Sequence, residues 1–262
     1  MNPVIVRDIK IGEGRPKICV PLVGATEKEI LDQAAELSGL PVDIVEWRAD
    51  WFEEVFDFER VNQVLVKLRE AAGGLPLLFT FRTAPEGGEK PISGDAYTEL
   101  LIRSVQSGLI DLVDIEYFTV GEDMQKCLDA AHEAGVKVIA SSHDFGGTPS
   151  KEEMVARLRK MQETGADISK LAVMPRSTKD VLALLDATQE MVSGYADRPV
   201  ITMSMGGIGL ISRLCGEEFG SSVTFGAAKR VSAPGQIPVT ELESILKAIH
   251  ENMNEKTAAF EK

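Results

Sequence analysis

Lys170 has the clearest chemical potential of any residue in this sequence. It lies in Asp167-Ile168-Ser169-Lys170-Leu171-Ala172-Val173-Met174, where apolar neighbours indicate a buried strand. Burial disfavours an ammonium and nearby arginines push the same way, so a lysine here can become a neutral amine. Such an amine attacks a carbonyl to form an iminium, an electron sink for proton removal at the adjacent carbon. On position alone this reading weighs evenly against a lysine ion-paired with a carboxylate such as Glu46 or Glu116. His143 follows Val138-Ile139-Ala140-Ser141-Ser142, one strand before Lys170. An imidazole with an ordinary pKa of about 6.5 suits a general base near neutrality. A hydrogen-bonded structural histidine is the plainer alternative, and adjacency to Lys170 favours the base. His132 and His250 sit among charged residues in helical patterns and read as surface groups. Three dispersed histidines without a Cys pair argue against a metal site.

Other polar residues fall at the ends of β-type runs. Glu46 and Arg48 are two apart and share one strand face. Arg82 ends the third run, with Glu86 in the loop beyond, and Glu116 ends the fourth. Met203, Met205 and Arg213 lie at or past the end of the seventh, and Ser232 and Gln236 past the eighth. Arg48, Arg82 and Arg213 are costly to gather in one mouth unless an anionic ligand joins them, though Glu46 and Glu86 could meet part of that charge. Met205-Gly206-Gly207-Ile208-Gly209 could cradle a phosphate, or could simply let a helix start close to the strands. Lys17 and Lys137 precede their strands and belong to the opposite face.

The elements that must position these groups alternate along the chain. The β-type runs are Ile18–Leu22, Ile44–Arg48, Leu77–Arg82, Leu112–Glu116, Val136–Ser142, Ile168–Val173, Pro199–Met203 and Ser222–Phe225. Helical patterns separate them: one capped by Thr26 with Glu29 as a capping box and lasting to about Leu37, Lys151–Glu163, and Lys179–Met191 behind Ser177-Thr178. Alternation of this kind implies parallel strands with right-handed crossovers. Eight units within 262 residues fit a closed (β/α)8 TIM barrel read as one domain over 1–262, with chemistry at the C-terminal strand ends. An open doubly wound sheet usually carries a GxGxxG turn after its first strand, and Pro21-Leu22-Val23-Gly24 is not one. Val4–Ile11 reads as a β-hairpin over the N-terminal face, and the tail after His250 as loose and polar.

Composition narrows the function classes. There are 28 Lys+Arg against 41 Asp+Glu, a net charge of −13, which disfavours a nucleic-acid binder. Apolar residues make up 44% of the chain, enough for a sizeable core. No apolar run approaches the ~18 residues of a membrane span, and Met1-Asn2-Pro3 opens no secretory signal. Cys19, Cys127 and Cys215 are scattered and read as reduced thiols of a cytoplasmic protein.

In its motifs the chain resembles type I 3-dehydroquinate dehydratases (type I dehydroquinases) over essentially its whole length. The matching pieces are Ile44–Arg48, Phe79–Arg82 with Glu86–Glu89, Asp114–Glu116, Ser141–Phe145, Lys170–Pro175, Thr202–Met205, Ile211–Leu214 and Ser232–Ile237. The resemblance implies a (β/α)8 barrel that dehydrates 3-dehydroquinate to 3-dehydroshikimate in the shikimate pathway, without metal or organic cofactor, as a homodimer. It implies Lys170 as the Schiff-base lysine at the C3 ketone. His143 would remove a C2 proton and then help the C1 hydroxyl leave. Glu86 would orient that histidine, and Arg213 would pair with the substrate carboxylate. Glu46, Arg48 and Arg82 would hold ring hydroxyls, Ser232 and Gln236 would sit on a closing loop, and Met203, Met205 and Phe225 would form the apolar lining. Two positions depart from the family pattern: Tyr117 after Glu116, and Ser142 before His143. They bear on the tuning of His143 rather than on the reaction. Two other readings share parts of this constellation. A class I aldolase-type barrel would use the same lysine to cleave a C–C bond in a phosphorylated sugar. A non-catalytic carboxylate binder would need the arginines but not Lys170 beside His143.

Overall fold

The computed structural model describes residues 1–228 and 235–260, with side chains described as far as Met253. Among the described residues ten strands form: β1 Val4–Val6, β2 Ile9–Ile11, β3 Lys17–Leu22, β4 Ile44–Arg48, β5 Leu77–Thr80, β6 Leu112–Glu116, β7 Lys137–Asp144, β8 Ile168–Val173, β9 Val200–Ser204 and β10 Val223–Phe225. Strands β3 to β10 make one parallel sheet in the order β10-β3-β4-β5-β6-β7-β8-β9. The seam between β9 and β10 is joined by a parallel bridge from Val200 to Ser221, with Ser222 N–H donating to the Val200 carbonyl at 2.8 Å. The expected eight-stranded barrel is therefore present.

The helices are α1 Glu27–Glu36, α2 Phe58–Ala72, α3 Gly94–Gln106, α4 Tyr117–Val120, α5 Met124–Glu133, α6 Lys151–Glu163, α7 Thr178–Gly194, α8 Ile211–Leu214, α9 Gly216–Phe219 and α10 Val239–Phe260. Their starts follow local chemistry. Thr26 Oγ1 accepts the Glu29 N–H at 3.3 Å, while the Glu29 carboxylate reaches back past the cap to Ala25 N–H at 3.1 Å. Ser177 and Asp180 form a reciprocal capping box on α7. The tail departs from the sequence reading, since α10 continues to Phe260 where a loose segment is expected. Among the described residues no helix is long and apolar enough to cross a membrane.

Period-two alternation divides every barrel strand into two faces. Outward residues such as Val45, Trp47, Phe79, Val113, Ile115, Val138 and Leu171 join the core shared with the helices. Trp47 meets Phe79 edge-on at 5.6 Å, a geometry that adds about 0.5–1.5 kcal/mol beyond area burial. Inward residues at the strand starts, including Cys19, Ile44, Leu78, Leu112, Ile139 and Ile168, form a second cluster. Val4, Val6 and the fully buried Ile11 of the β1–β2 hairpin complete it, so the hairpin closes the N-terminal mouth. Arg7 ties the hairpin to the barrel through Asp111 at 2.7 Å. The apolar floor leaves the other mouth as the place where polar groups can meet a ligand.

Candidate active site

Two residues further along β4 to β8, the inward face turns polar, while β9 stays apolar. Ile44 gives way to Glu46 and Arg48, Leu78 to Thr80 and Arg82, and Leu112 to Asp114 and Glu116. Ile139 is followed by Ser141 and His143, Ile168 by Lys170 and Ala172, and Ile201 by Met203 and Met205. A pocket of about 620 Å³, its open mouth included, forms over this polar layer. Glu46, Arg48, Arg82, Glu86, His143, Lys170, Met203, Met205, Arg213, Phe225 and Gln236 all line it. Ser232, expected on the closing loop, lies outside the described residues.

Lys170 is buried, and its Nζ donates to Asp114 Oδ2 at 2.9 Å. The ion-paired reading therefore describes the resting side chain, but with Asp114 as partner rather than Glu46 or Glu116. The Glu46 carboxylate instead accepts from Thr80 Oγ1 at 2.8 Å. Glu116 accepts from Arg82, from the Thr83 backbone and hydroxyl, and from Thr119. Asp114 is fully buried, and its Oδ1 accepts from Arg82 Nη2 at 2.8 Å and from Ser141 Oγ at 2.6 Å. Burial alone would raise its pKa, but Arg82 and Lys170 outweigh that and hold it below the usual carboxylate range. The Phe225 ring centroid lies 4.7 Å from Lys170 Nζ, so an aromatic face also favours positive charge at that nitrogen.

His143 lies within β7, which runs two residues beyond the expected end at Ser142. Glu86 Oε2 accepts the His143 backbone N–H at 3.0 Å and lies 3.1 Å from Nδ1. Since that oxygen already acts as an acceptor, the consistent tautomer has Nδ1–H donating to it and leaves the Nε2 lone pair available. Burial, helped by Arg82 and Lys170, holds the imidazole well below its ordinary pKa of 6.5, so it is neutral at physiological pH. Burial likewise pushes Glu86 up to about 8 against the pull of Arg82. Glu46, Asp50, Asp114 and Glu116 are buried in the same mouth as Arg48, Arg82, Lys170 and Arg213.

The arginines divide in a way the sequence reading does not anticipate. Arg48 makes a two-point ion pair with buried Asp50, with Nε and Nη2 each 2.8 Å from a carboxylate oxygen. Arg82 is held by Asp114 and Glu116, with Glu86 at 3.5 Å. Both thus have internal carboxylate partners, chiefly Asp50, Asp114 and Glu116 rather than the Glu46 and Glu86 expected to meet part of their charge. Arg213 is presented on α8, where Thr224 Oγ1 donates to its carbonyl and its Nη1 lies 3.8 Å from Met203 Sδ. Burial lowers its pKa to about 10. An anion arriving beside it would offset that desolvation.

Of the Met205–Gly209 segment, Met205 lines the pocket. A Cβ on Gly209 would overlap the Ser204 carbonyl, so the glycine serves close packing at the start of α8. The two positions read from sequence as departures, Ser142 and Tyr117, do not line the pocket. Ser142 is buried on the face of β7 opposite His143, and Tyr117 begins α4. Asp114, Ser141, Gly87 and Phe145 fall within the matching motifs but are given no site role by the sequence reading, and Asp50 escapes it altogether. Asp114 carried a usable signal, since it is two residues before Glu116 on one strand face.

Gly87 has φ +84°, and a Cβ there would run into the Phe145 ring. Gly87→Ala is expected to destabilise the protein by about 1–2 kcal/mol and to disturb the Glu86 carboxyl beneath His143. Lower Tm together with lower kcat is the expected result; an unchanged pair of values would show that the turn does not hold Glu86.

The type I 3-dehydroquinase family model matches residues 18–253. A 3-dehydroquinate dehydratase of Clostridioides difficile is 56% identical over 251 residues, covering 96% of this chain and 98% of that one. One from Bacillus velezensis is 53% identical, covering 97% of this chain and 100% of its own. Among solved structures, the C. difficile type I 3-dehydroquinate dehydratase with covalently modified comenic acid superposes with a TM-score of 0.94 at 55% identity, covering 96% of this chain and 100% of that one. The Enterococcus faecalis 3-dehydroquinate dehydratase gives 0.89 at 46% identity, covering 94% and 99%. The chain belongs to the type I 3-dehydroquinase family.

Proposed function

We propose that this protein dehydrates 3-dehydroquinate to 3-dehydroshikimate through an iminium on Lys170, with His143 moving the protons. The observation that carries the reading is the shared pocket of a buried lysine and a neutral, Glu86-oriented histidine. Lys170, once its proton has left, attacks the C3 ketone to form a carbinolamine; a proton equivalent to the one Lys170 released returns to the carbinolamine oxygen, which departs as water and leaves a protonated iminium. His143 Nε2 then takes a proton from C2, and the released electron pair flows into the C=N⁺ bond to give an enamine. The enamine returns its electrons, expelling the C1 hydroxyl, which takes the proton from His143 and leaves as water. Hydrolysis of the conjugated iminium consumes one water and restores Lys170, so the net product is enone plus one water.

Arg213 takes the substrate carboxylate, an anion that compensates its buried guanidinium. Glu46 and the internally paired Arg48 and Arg82 present fixed hydrogen-bonding groups to the ring hydroxyls. Met203, Met205 and Phe225 cover the apolar side, and Gln236 lies at the rim, where a closing loop would exclude water.

The test is direct. Purified protein mixed with 3-dehydroquinate should generate the ultraviolet absorbance of a conjugated enone, while sugar phosphates should yield no carbonyl fragments. No absorbance growth would remove the dehydratase assignment. Aldol cleavage of a sugar phosphate would replace it.

A further inference from the structure

Resting on the dehydratase reading above, we infer that Asp114 is the positioning counter-ion that keeps the Lys170 iminium protonated, and hence an effective electron sink. A neutral imine withdraws electrons weakly, so proton removal at C2 depends on the charge at Nζ. Asp114 is placed for that task in the resting site. Its Oδ1 is fixed by Arg82 at 2.8 Å and Ser141 at 2.6 Å, which directs Oδ2 at Nζ at 2.9 Å. The nitrogen of the iminium is the same atom, and it keeps one N–H through which the contact can persist.

The other ionisable groups around Nζ are committed elsewhere or carry the wrong charge. Cys19 on β3 is a buried thiol, and Glu46 on β4 is engaged by Thr80. Arg82 beyond β5 and Arg213 on α8 are cationic, and Glu116 on β6 is enclosed by Arg82 and two threonines. Glu86 serves His143 of β7. The Phe225 ring of β10 adds a face that favours positive charge. Asp114 stays ionised in this setting, because Arg82 and Lys170 outweigh its burial.

Asp114→Asn keeps the shape and removes the charge; Asp114→Glu keeps the charge and disturbs the packing. An opposite charge within hydrogen-bond reach is worth about one to three pH units to the group it faces. The alkaline limb of kcat should therefore fall by that amount in Asp114→Asn, and kcat at neutral pH should drop on the order of 10-fold or more. Borohydride should still trap substrate on Lys170 at acid pH. Asp114→Glu should restore the wild-type limb despite a lower Tm. A purely structural role would do the reverse, sparing the isosteric Asn variant and penalising Glu. An unmoved limb in Asp114→Asn, or loss of activity that merely follows Tm in both variants, overturns the counter-ion role. Absence of any adduct in the wild-type protein brings down the iminium reading itself.

Discussion

Lys170→Met should lose at least about 10⁴-fold in kcat and should form no borohydride-stable adduct with substrate. Among the described residues no other lysine lines the pocket, and Lys170 is the amine placed for the covalent step. Methionine keeps most of the buried stem volume while removing the ammonium. Breaking a buried pair from one side costs about 3–5 kcal/mol when the remaining charge is stranded. Here Asp114 retains Arg82 and Ser141, so a folded variant with a reduced Tm is expected. Thermal unfolding, intact mass after borohydride and the enone assay together check this outcome. Turnover near the wild-type rate in Lys170→Met would exclude covalent catalysis through this residue.

His143→Ala should separate binding from turnover. The adduct should still form, because the lysine and its carboxylate partner are untouched, while kcat falls by about 10²- to 10⁴-fold for loss of the general acid and base. Glu86 keeps the backbone N–H of residue 143 in that variant, so its loop should stay in place. The wild-type pH profile supplies the companion result. A histidine acting as base must be neutral, and burial with Arg82 and Lys170 depresses its pKa. Activity governed by this group is therefore retained as pH falls to 6.5 and is lost only below it. An acid limb of kcat/KM above pH 6.5, or unchanged turnover in His143→Ala, would remove His143 from the proton-transfer role.

Much of this site is legible in the sequence because strands obey a simple rule. Alternation by two places Glu46 with Arg48 and Asp114 with Glu116 on one face, and β-type runs mark where each face ends. The barrel itself follows from eight such runs separated by capped helices, and α6 occupies the expected Lys151–Glu163. What alternation cannot give is partnership across strands. The pairing of Lys170 with Asp114, rather than with Glu46 or Glu116, depends on the stagger of β6 against β8 and on Arg82 reaching across to both carboxylates of β6. Asp50 is hidden for a similar reason: it lies in the turn after β4, and only the folded chain brings it against Arg48 and the Arg82 backbone. Phe145 touches the site through a close approach to Gly87, which no local pattern records. The net charge of −13 is equally silent about the mouth, where Arg48, Arg82, Lys170 and Arg213 are buried together with acidic side chains.

The most direct measurement is borohydride reduction of the wild-type protein in the presence of 3-dehydroquinate, followed by tryptic mapping. Reduction of an iminium on Lys170 blocks cleavage after that residue, so the expected product is a single modified peptide spanning residues 161–176. Normal cleavage after Lys170 with no added mass, or an adduct carried by another lysine, would contradict the iminium mechanism.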